Sequence, residues 1–366
     1  EVGARPTFSA LDIDGPATAA VALRVTNAAG QSDTATALIT IENVPPSVTI
    51  AGPTDGVPGQ PRTFTFSATD VFPADRAAGF TYAIDWNGDG ITDQTVPGLA
   101  LITLEHTFTA TGTYSVQVTA TDKDGGISDP ATHLITIATA ELQTDPTNSG
   151  LTALFVGGTV NDDVILLTRQ GPSTVLVQVN GVDQGAFLPT GRIIVYGLDG
   201  NDAITVGNNL SLPALLFGGS GNDILTAGGG LSVLLGEDGN DTLQAGHART
   251  ILIGGAGADT LVGGGEEDLL IAATTIFDHN VAALNAVMTE WGRVDATYTT
   301  RVLHLTGGAS GGLNGSTLLT SATVFDDGTV DVLTGNDSRD WFFANLSGGV
   351  LDSITDLKNP EAVFEL

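Results

Sequence analysis

Six consecutive nine-residue units run without a slip from Gly218 to Ile271: GGSGNDILT, AGGGLSVLL, GEDGNDTLQ, AGHARTILI, GGAGADTLV and GGGEEDLLI. A strict short period predicts a stacked structure in which every unit supplies one turn and one short strand. The large apolar residue at position eight should point inward in each strand. With the preceding unit included, the expected core ladder is Ile204, Leu225, Leu234, Leu243, Leu252, Leu261 and Leu270.

The units alternate at position six. Asp223, Asp241 and Asp259 occupy it in the odd units, whereas Ser232 and Thr250 occupy it in the second and fourth. If two units make one turn of a parallel β-roll, residues 18 apart stack at roughly 4.8 Å. Carboxylates at that spacing repel each other by about 1 kcal/mol per pair in water, and several-fold more near a protein surface. The stack therefore needs a cation, and cations should line one edge and be sparse on the other.

Composition favours calcium as that cation. The chain has 12 Lys and Arg against 42 Asp and Glu, a formal charge of -30, and 32 of the acids are Asp, the carboxylate that suits turns. Ca²⁺ accepts 6 to 8 oxygen ligands in flexible geometry, whereas Zn²⁺ and Cu²⁺ favour His or Cys. The repeat region offers only His247, and the chain has no Cys. Such an acidic surface disfavours nucleic acid and anionic lipid as partners, and no apolar run reaches membrane-spanning length.

The units GGSGNDILT, GEDGNDTLQ and GGAGADTLV resemble the repeats-in-toxin (RTX) nonapeptide G-G-x-G-x-D-x-U-x, where U is a large apolar residue. The resemblance implies a Ca²⁺ ion between successive turns, held mainly by Asp202, Asp223, Asp241 and Asp259, so that four stacked loops enclose about three ions. Asp202 joins this column through a three-residue insertion near residues 206–208. Position-three carboxylates and backbone carbonyls should assist, which gives the full ligand set of Asp199, Asp202, Gly218, Ser220, Asp223, Gly236, Asp238, Asp241, Gly254, Ala256 and Asp259.

Other acidic residues at repeat-like positions stay open between calcium ligands and solvated turn residues: Asp162, Asp163, Asp268, Asp331, Asp337 and Asp340. The second edge, which carries only Asp268 in the six units, is expected to hold few ions or none. Glycines at positions one, two and four are expected to permit left-handed or tight-turn backbone conformations that a Cβ atom would obstruct.

Strand signals dominate the chain from its start to Ala138, and the motif LITI occurs twice in this region, beginning at Leu38 and at Leu134. The interval between the two copies is the size of one β-sandwich domain, so the chain should contain the last strands of one sandwich and a complete second one. The segments YAIDWNGDG (Tyr82–Gly90) and HTFTATGTYSVQVTATD (His106–Asp122) resemble the PKD type of immunoglobulin-like sandwich. The resemblance implies a spacer or a carbohydrate- or protein-facing module, with His106 in a structural role.

One loop of this sandwich, DWNGDGITD, resembles the start of an EF-hand loop. Its candidate ligands are Asp85, Asn87, Asp89 and Asp93, but Val96 stands where an EF-hand has its final Glu. The loop also falls between strands, so a hairpin turn built of Asn-Gly and Asp-Gly is the alternative interpretation.

Helical periodicity occurs mainly in FDHNVAALNAVMTEWG, capped by Asp278 or Asn280 and ended by Gly292, with a second helix expected over residues 295–305. The predicted fold class is mainly β: immunoglobulin/PKD-like sandwiches followed by a parallel β-roll with a small α-helical insertion. The expected organisation is the end of a sandwich (1–44), a complete PKD-like sandwich (45–138), a linker (139–150), a roll with an N-terminal hairpin (151–271), a helical insertion (272–325), and resumed repeats with a C-terminal cap (326–366).

No catalytic motif is present, so the expected function is non-enzymatic. The chain is interpreted as the C-terminal region of a larger secreted or cell-surface bacterial protein that folds on calcium outside the cell and has a structural or adhesive role. The RTX resemblance implies type I secretion, with the segment DSITDLKNPEAVFEL as the signal. Expected partners are calcium ions and surface or matrix proteins, glycans or copies of the chain itself. The alternatives are a non-catalytic region of a secreted hydrolase and a self-assembling filament or surface-layer subunit.

Overall fold

The computed structural model describes residues 8–9, 13–358 and 360–366. The protein is mostly β, with 47% strand and 7% helix, as the sequence predicts. It forms two compact units, one of residues up to 55 with 61–106 and 113–136, and one of residues 56–60, 107–112 and 137–366.

The first unit begins with an antiparallel hairpin of β1 (Ala17–Thr26) and β2 (Ser32–Ile41), paired from Ala17 with Ile41 to Thr26 with Ser32. Where the sequence predicts part of a sandwich, over residues 1–44, the described residues form this two-stranded hairpin. Residues 1–7 and 10–12 of the predicted segment lie outside the described residues.

The rest of the first unit is a two-sheet β-sandwich, with a five-stranded sheet in the order β4-β10-β9-β6-β7 and a three-stranded sheet in the order β3-β5-β8. Alternating apolar residues such as Phe64, Phe66 and Tyr82 fill the core. Trp86 stacks on His106 at 4.2 Å between ring centroids, and burial lowers the pKa of His106, which fits its structural role. The elements are β3 (Ser47–Ala51), β4 (Asp55–Gly56), β5 (Pro61–Thr69), α1 (Pro73–Ala78), β6 (Phe80–Asp85), β7 (Gln94–Gly98), β8 (Leu101–Thr107), β9 (Gly112–Thr121) and β10 (Ala131–Ile137).

The predicted linker over residues 139–150 is wrong. The segment folds as β11 (Ala140–Asp145) and the start of β12 (Asn148–Gly157), an antiparallel hairpin that opens one sheet of the second unit. The polar run DPTN suggests a linker, but it forms the hairpin turn, in which the Asp145 carboxylate accepts a hydrogen bond from Thr147 N at 2.8 Å.

The second unit is a parallel β-roll of two nine-stranded sheets, ordered β11-β12-β16-β18-β20-β22-β24-β28-β30 and β15-β14-β13-β17-β19-β21-β23-β27-β29. The predicted hairpin at its start is β13 with β14. The strands of the first part are β13 (Val164–Gln170), β14 (Thr174–Val179), β15 (Val182–Phe187), β16 (Ile193–Asp199), β17 (Ala203–Val206), β18 (Ala214–Ser220), β19 (Ile224–Thr226), β20 (Ser232–Asp238), β21 (Thr242–Gln244), β22 (Thr250–Ala256), β23 (Thr260–Val262) and β24 (Leu269–Ile271).

The 18-residue period appears directly in the strand register, since Leu225 pairs with Leu243 and Leu234 with Leu252. Ile204 pairs with Leu225 across a longer turn, whose additional residues lie in the segment between β17 and β18. Every residue of the predicted core ladder is fully buried between the two sheets. The two-units-per-turn interpretation is therefore confirmed.

A helical insertion interrupts the roll without breaking its stack. Leu261 pairs with Leu333 in the same parallel register that joins the earlier turns. The turns before and after the insertion therefore stack directly on each other, and the inserted residues lie outside the stack. The inserted elements are β25 (Thr274–Thr275), α2 (Val281–Trp291), α3 (Tyr298–Leu305) and β26 (Val324–Phe325), and the roll resumes with β27 (Val332–Thr334), β28 (Trp341–Ala344), β29 (Ser353–Ile354) and β30 (Ala362–Glu365).

Both predicted helices form. Asn280 caps α2, accepting a hydrogen bond from Ala283 N at 3.0 Å. The second helix starts later than predicted because Thr297 serves as its N-cap and Tyr298 is its first helical residue. Trp291, at the end of α2, packs with Trp341 on the outer face of one sheet of the roll.

Candidate metal centre

A column of aspartates follows one edge of the roll, one per turn. Asp202 N donates to Asp223 Oδ1, Asp223 N to Asp241 Oδ1, and Asp241 N to Asp259 Oδ1, at 2.7 to 2.8 Å. The same pattern continues at both ends through Asp163, Asp331 and Asp352. One carboxylate oxygen of each central residue therefore accepts a hydrogen bond from a backbone N–H of the neighbouring turn.

The second oxygen of each of these carboxylates is buried and lacks a hydrogen-bond partner among the described residues; it is called bare below. Oδ2 of Asp202, Asp223, Asp241 and Asp259 has no hydrogen-bond partner within the described part of the chain, and each residue is only 1% exposed. Burial is the main cause that raises the pKa of Asp202 and Asp241 to about 7, of Asp223 to about 6 and of Asp259 to about 8. A buried anionic oxygen without a donor is costly, so each requires either a proton or a cation.

Backbone carbonyls face the same points as the bare oxygens. A Cβ atom placed on Gly218 would stand 2.3 Å from Asp223 Oδ2 and 2.6 Å from Gly236 O. Gly197 and Gly236 show the same pairs, Asp202 Oδ2 with Gly218 O and Asp241 Oδ2 with Gly254 O, at 2.2 to 2.4 Å. A buried carboxylate oxygen without a hydrogen-bond partner, next to a carbonyl oxygen in a set made only of carboxylates and carbonyls, fits Ca²⁺ and fits Zn²⁺ poorly.

The expected reason for glycine at position one is wrong. Gly218 and Gly236 do not have left-handed backbone conformations, which occur instead at positions two and four, as in Gly219 (φ 111°) and Gly221 (φ 132°). Position one is glycine because the Oδ2 atom of the position-six aspartate and the carbonyl oxygen of the next turn lie where a Cβ atom would be. The constraint is therefore one of space for these two oxygens.

The alternation along the sequence follows from this contact. Where position six is Ser232 or Thr250, position one is Ala227 or Ala245 instead of glycine. The Ser232 hydroxyl donates to Gly230 O at 2.9 Å, and the Thr250 hydroxyl donates to Ala248 O at 3.0 Å. The position-six hydroxyls of these turns are satisfied by carbonyls of their own turn, and no carboxylate there calls for a cation.

The second edge regains carboxylates near its end. Asp268 accepts hydrogen bonds from Thr250 N and Gly264 N, both at 2.6 Å. Asp340, stacked next to it, accepts from Asp268 N, but its Oδ2 is without a hydrogen-bond partner among the residues described. Burial raises the pKa of Asp268 to about 7 and that of Asp340 to about 8. Asp340 therefore adds a second carboxylate to an edge on which the six units suggest only Asp268.

The position-three candidates differ from the column aspartates in their exposure and hydrogen bonds. The side chains of Asp199 and Asp238 are exposed. The carbonyls at this position accept backbone hydrogen bonds from the preceding turn, from Gly200 N to Ser220, from Gly221 N to Asp238 and from Gly239 N to Ala256. These backbone hydrogen bonds hold the turns in register.

Four further acidic candidates differ in their surroundings. Asp163 ends the column with donors on both oxygens, from Asn180 and Thr159. The exposed Asp162 accepts from Asn201. Asp331 continues the column, and burial raises its pKa to about 7, whereas Asp337 is exposed.

The EF-hand-like loop of the sandwich is a hairpin turn held by its own side chains. Asp85 accepts from Gly88 N and Gly90 N, Asn87 from Asp89 N, and Asp93 from Trp86 N, at 2.6 to 2.8 Å. Within the described ranges, no three carboxylate or imidazole ligand atoms converge at this loop. The structure favours the turn interpretation.

A ladder of asparagines beside the aspartates has no counterpart in the sequence predictions. Asn222 N donates to Asn201 Oδ1 at 2.9 Å, and Asn240 N to Asn222 Oδ1 at 2.7 Å. The ladder ends with Ala258 N on Asn240 Oδ1 at 2.7 Å. The recurring Asn-Asp pair in GND is the sequence signal that marks position five as a second stacking position.

A β-sandwich followed by a parallel β-roll with stacked edge aspartates defines the class of this chain. Residues 43–137 match the family described as the PKD domain, and residues 216–246 and 250–273 match the RTX calcium-binding nonapeptide repeat in four copies. The chain thus carries a PKD domain followed by RTX calcium-binding repeats, two modules that suggest a calcium-binding surface or secreted protein.

One solved structure similar to this chain is the PKD domain of an M14-like peptidase from Thermoplasmatales archaeon SCGC AB-540-F20, at 32% sequence identity. The match covers 26% of this chain and 97% of that one, with a TM-score of 0.23. No curated protein matches the chain. Among the described residues, no helix has the length and apolar character needed to cross a membrane.

Proposed function

We propose that this chain is the calcium-dependent structural or adhesive region of a secreted or cell-surface protein, and that Ca²⁺ ions lie between successive turns of the first edge. The observation that supports this proposal is the convergence of a bare, buried Asp Oδ2 with a glycine carbonyl at three consecutive turns. Asp202, Asp223 and Asp241 supply the carboxylates of the three pairs, and Asp259 continues the column.

The mechanism is folding coupled to ion binding. Without calcium, the aspartates of the column must be brought together and buried against their mutual repulsion, which favours an extended chain. An extended acidic chain suits export through a narrow channel such as that of type I secretion. Outside the cell, calcium at about 10⁻⁴ to 10⁻³ M saturates weak extracellular sites, and its binding free energy becomes folding free energy.

The role of the folded product is proposed to be non-catalytic. The sandwich is a module that suits spacing or contact with proteins and glycans, and the roll supplies a rigid end whose folding depends on its surroundings. Surface attachment or matrix assembly, with surface proteins, glycans or other copies of the chain as partners, uses both properties.

Calcium titration by calorimetry tests the ion assignment. The wild-type chain is compared with Asp223→Asn, which removes one carboxylate of the column, and with Asp183→Asn, which removes an exposed charge from the hairpin strand β15. We expect Asp223→Asn alone to reduce the number of bound ions. Equal ion numbers in all three proteins would contradict the proposal.

A further inference from the structure

A second oxygen-rich cluster lies in the first unit, away from the repeats. One carboxylate oxygen each from Asp14, Asp75 and Asp124 lie within 4.8 Å of one another, the only such grouping of three acidic or histidine side chains among the described residues. Asp14 precedes the hairpin β1–β2, Asp75 lies in α1 and Asp124 follows β9. The cluster therefore joins the hairpin to two separate parts of the PKD domain.

The buried member of the cluster, Asp75, is paired with Lys123. Its side chain is 0% exposed, and neither carboxylate oxygen accepts a hydrogen bond of good geometry within the described part of the chain. The Lys123 Nζ lies 3.2 Å from Asp75 Oδ1 and forms an ion pair with it. Burial, the largest cause, raises the pKa of Asp75, and the neighbouring Asp14 adds to the shift. The fully buried Asp75 carboxylate therefore lies beside a second carboxylate, that of Asp14.

Lys123 lies among the three carboxylates, but it is not a fixed part of the interior. Its Nζ is 2.6 Å from Asp14 Oδ2 and also pairs with Asp124. The Lys123 side chain is about one-third exposed, at 34%, so it can turn towards solvent without a buried cavity being opened behind it. Three carboxylates against one ammonium leave a formal charge of −2 (−3 + 1) in the cluster.

Neighbouring polar atoms extend the oxygen set. Asn43 Nδ2 donates to Asp122 Oδ2 at 2.8 Å, and this leaves the buried Asn43 Oδ1 without a hydrogen-bond partner in the described part of the chain. Asp14 Oδ1 is likewise buried and lacks such a partner there. Backbone packing brings these segments together, since a Cβ atom on Gly15 would stand 2.4 Å from Glu42 O.

From these contacts we infer a divalent-cation site, distinct from the roll, at the junction of the hairpin and the PKD domain, with Asp14, Asp75 and Asp124 as its carboxylate ligands. An all-oxygen donor set of this kind takes Ca²⁺. Lys123 occupies the place of the cation when calcium is low and swings into solvent when the ion binds. Since Asp14 belongs to the segment before the hairpin, the bound ion stiffens the junction between the hairpin and the PKD domain.

Hydrogen exchange of the full-length protein, with and without Ca²⁺, tests this site separately from the roll. We expect calcium to protect peptides from residues 13–46, 70–80 and 120–128 in the wild type. Asp75→Asn should abolish this protection while leaving the calcium response of residues 197–262 intact. Asp124→Asn, at an exposed position, should do the same without risk to the core, and Asp129→Asn, an exposed acid in the same loop, should behave as wild type.

Native mass spectrometry supplies the second readout. Asp75→Asn and Asp124→Asn should each bind one Ca²⁺ fewer than Asp129→Asn, and Lys123→Met should retain that ion and bind it at lower calcium because the competing ammonium is gone. If the junction peptides show no calcium response in the wild type and the ion number is the same in all variants, Lys123 is the resident cation and the inference is wrong. If calcium changes the hydrogen exchange of the junction peptides but not that of the roll, only the function proposed above is contradicted.

Discussion

Asp241→Asn should change the stability of the roll in opposite directions with and without calcium. Asp241 Oδ1 accepts a hydrogen bond from Asp223 N, which an amide oxygen retains. The amide nitrogen then replaces Oδ2 and faces Gly254 O, to which it can donate. The substitution thus removes a buried charge and places a donor beside a carbonyl, but it removes one of the three proposed ion positions.

The changes in the stability of the roll without calcium and with calcium can be estimated separately. Ionised Asp241 has two carboxylate neighbours at a turn spacing of roughly 4.8 Å, and each repels it by about 1 kcal/mol in water and about 3 kcal/mol at an effective dielectric constant of 20. Without calcium, at pH 8.5, the variant should be more stable by about 2 kcal/mol or more. With calcium at 10 to 100 times the dissociation constant, the lost ion should cost about 1 to 3 kcal/mol.

Urea titration read by hydrogen exchange of peptides from residues 214–262 isolates the roll from the sandwich. Asp183→Asn, an exposed acid on β15, controls for the change in net charge and should move neither midpoint appreciably. A variant that loses stability in EDTA as well as in calcium would refute the argument, because the column would then be stabilising without an ion.

Three further outcomes follow from the same geometry. Gly236→Ala should lower calcium affinity at least tenfold because its Cβ meets Asp241 Oδ2 and Gly254 O, as calorimetry checks. The double variant with Asp241→Thr should recover part of the lost stability in EDTA, since it removes the carboxylate contact and reproduces the ion-free pair Ala245 and Thr250; urea titration checks this. In EDTA, the stability that the protonated column aspartates contribute should be fully present below about pH 4 and be lost as the pH rises from there through about 6 to 8, because the pKa of these aspartates is raised in the fold; urea midpoints that rise from pH 5 to 8.5 would contradict this. Leu243→Ala should cost about 2 to 5 kcal/mol in calcium, measured as a urea midpoint, because its side chain is fully buried in the ladder.

The roll was predictable from the sequence because its constraints are local and periodic. Position eight predicts the buried ladder and position six predicts the stacked aspartates, because every 18-residue turn repeats both positions. Neither prediction needs a contact between residues far apart in the sequence. The helical insertion was predictable for the same reason: the resumed repeat after residue 325 returns Asp331 and Asp340 to their columns. The alternation with Ser232 and Thr250 places successive units on opposite edges, as the strand register confirms, and the distribution of ions between the edges stays a prediction.

The features that were missed depend on contacts between segments or atoms that a pattern does not show. The sequence of β11 and β12 predicts a linker because the turn between them is polar. The pairing of this hairpin with the roll involves residues far away in the sequence, which the local pattern does not show. The reason for glycine at position one required the position of the Asp Oδ2 atom. The cluster of Asp14, Asp75 and Asp124 draws on three distant segments, so no spacing in the sequence marks it.

Calcium titration of the full-length chain from EDTA, followed by far-ultraviolet circular dichroism and by hydrogen exchange of residues 197–262, tests the central claim most directly. We expect the β-structure of the roll to form cooperatively as calcium rises through about 10⁻⁴ to 10⁻³ M at pH 8.5, with protection of the turns that carry Asp202 to Asp259. A roll that is fully formed and protected in EDTA, and does not change when calcium is added, would contradict the account.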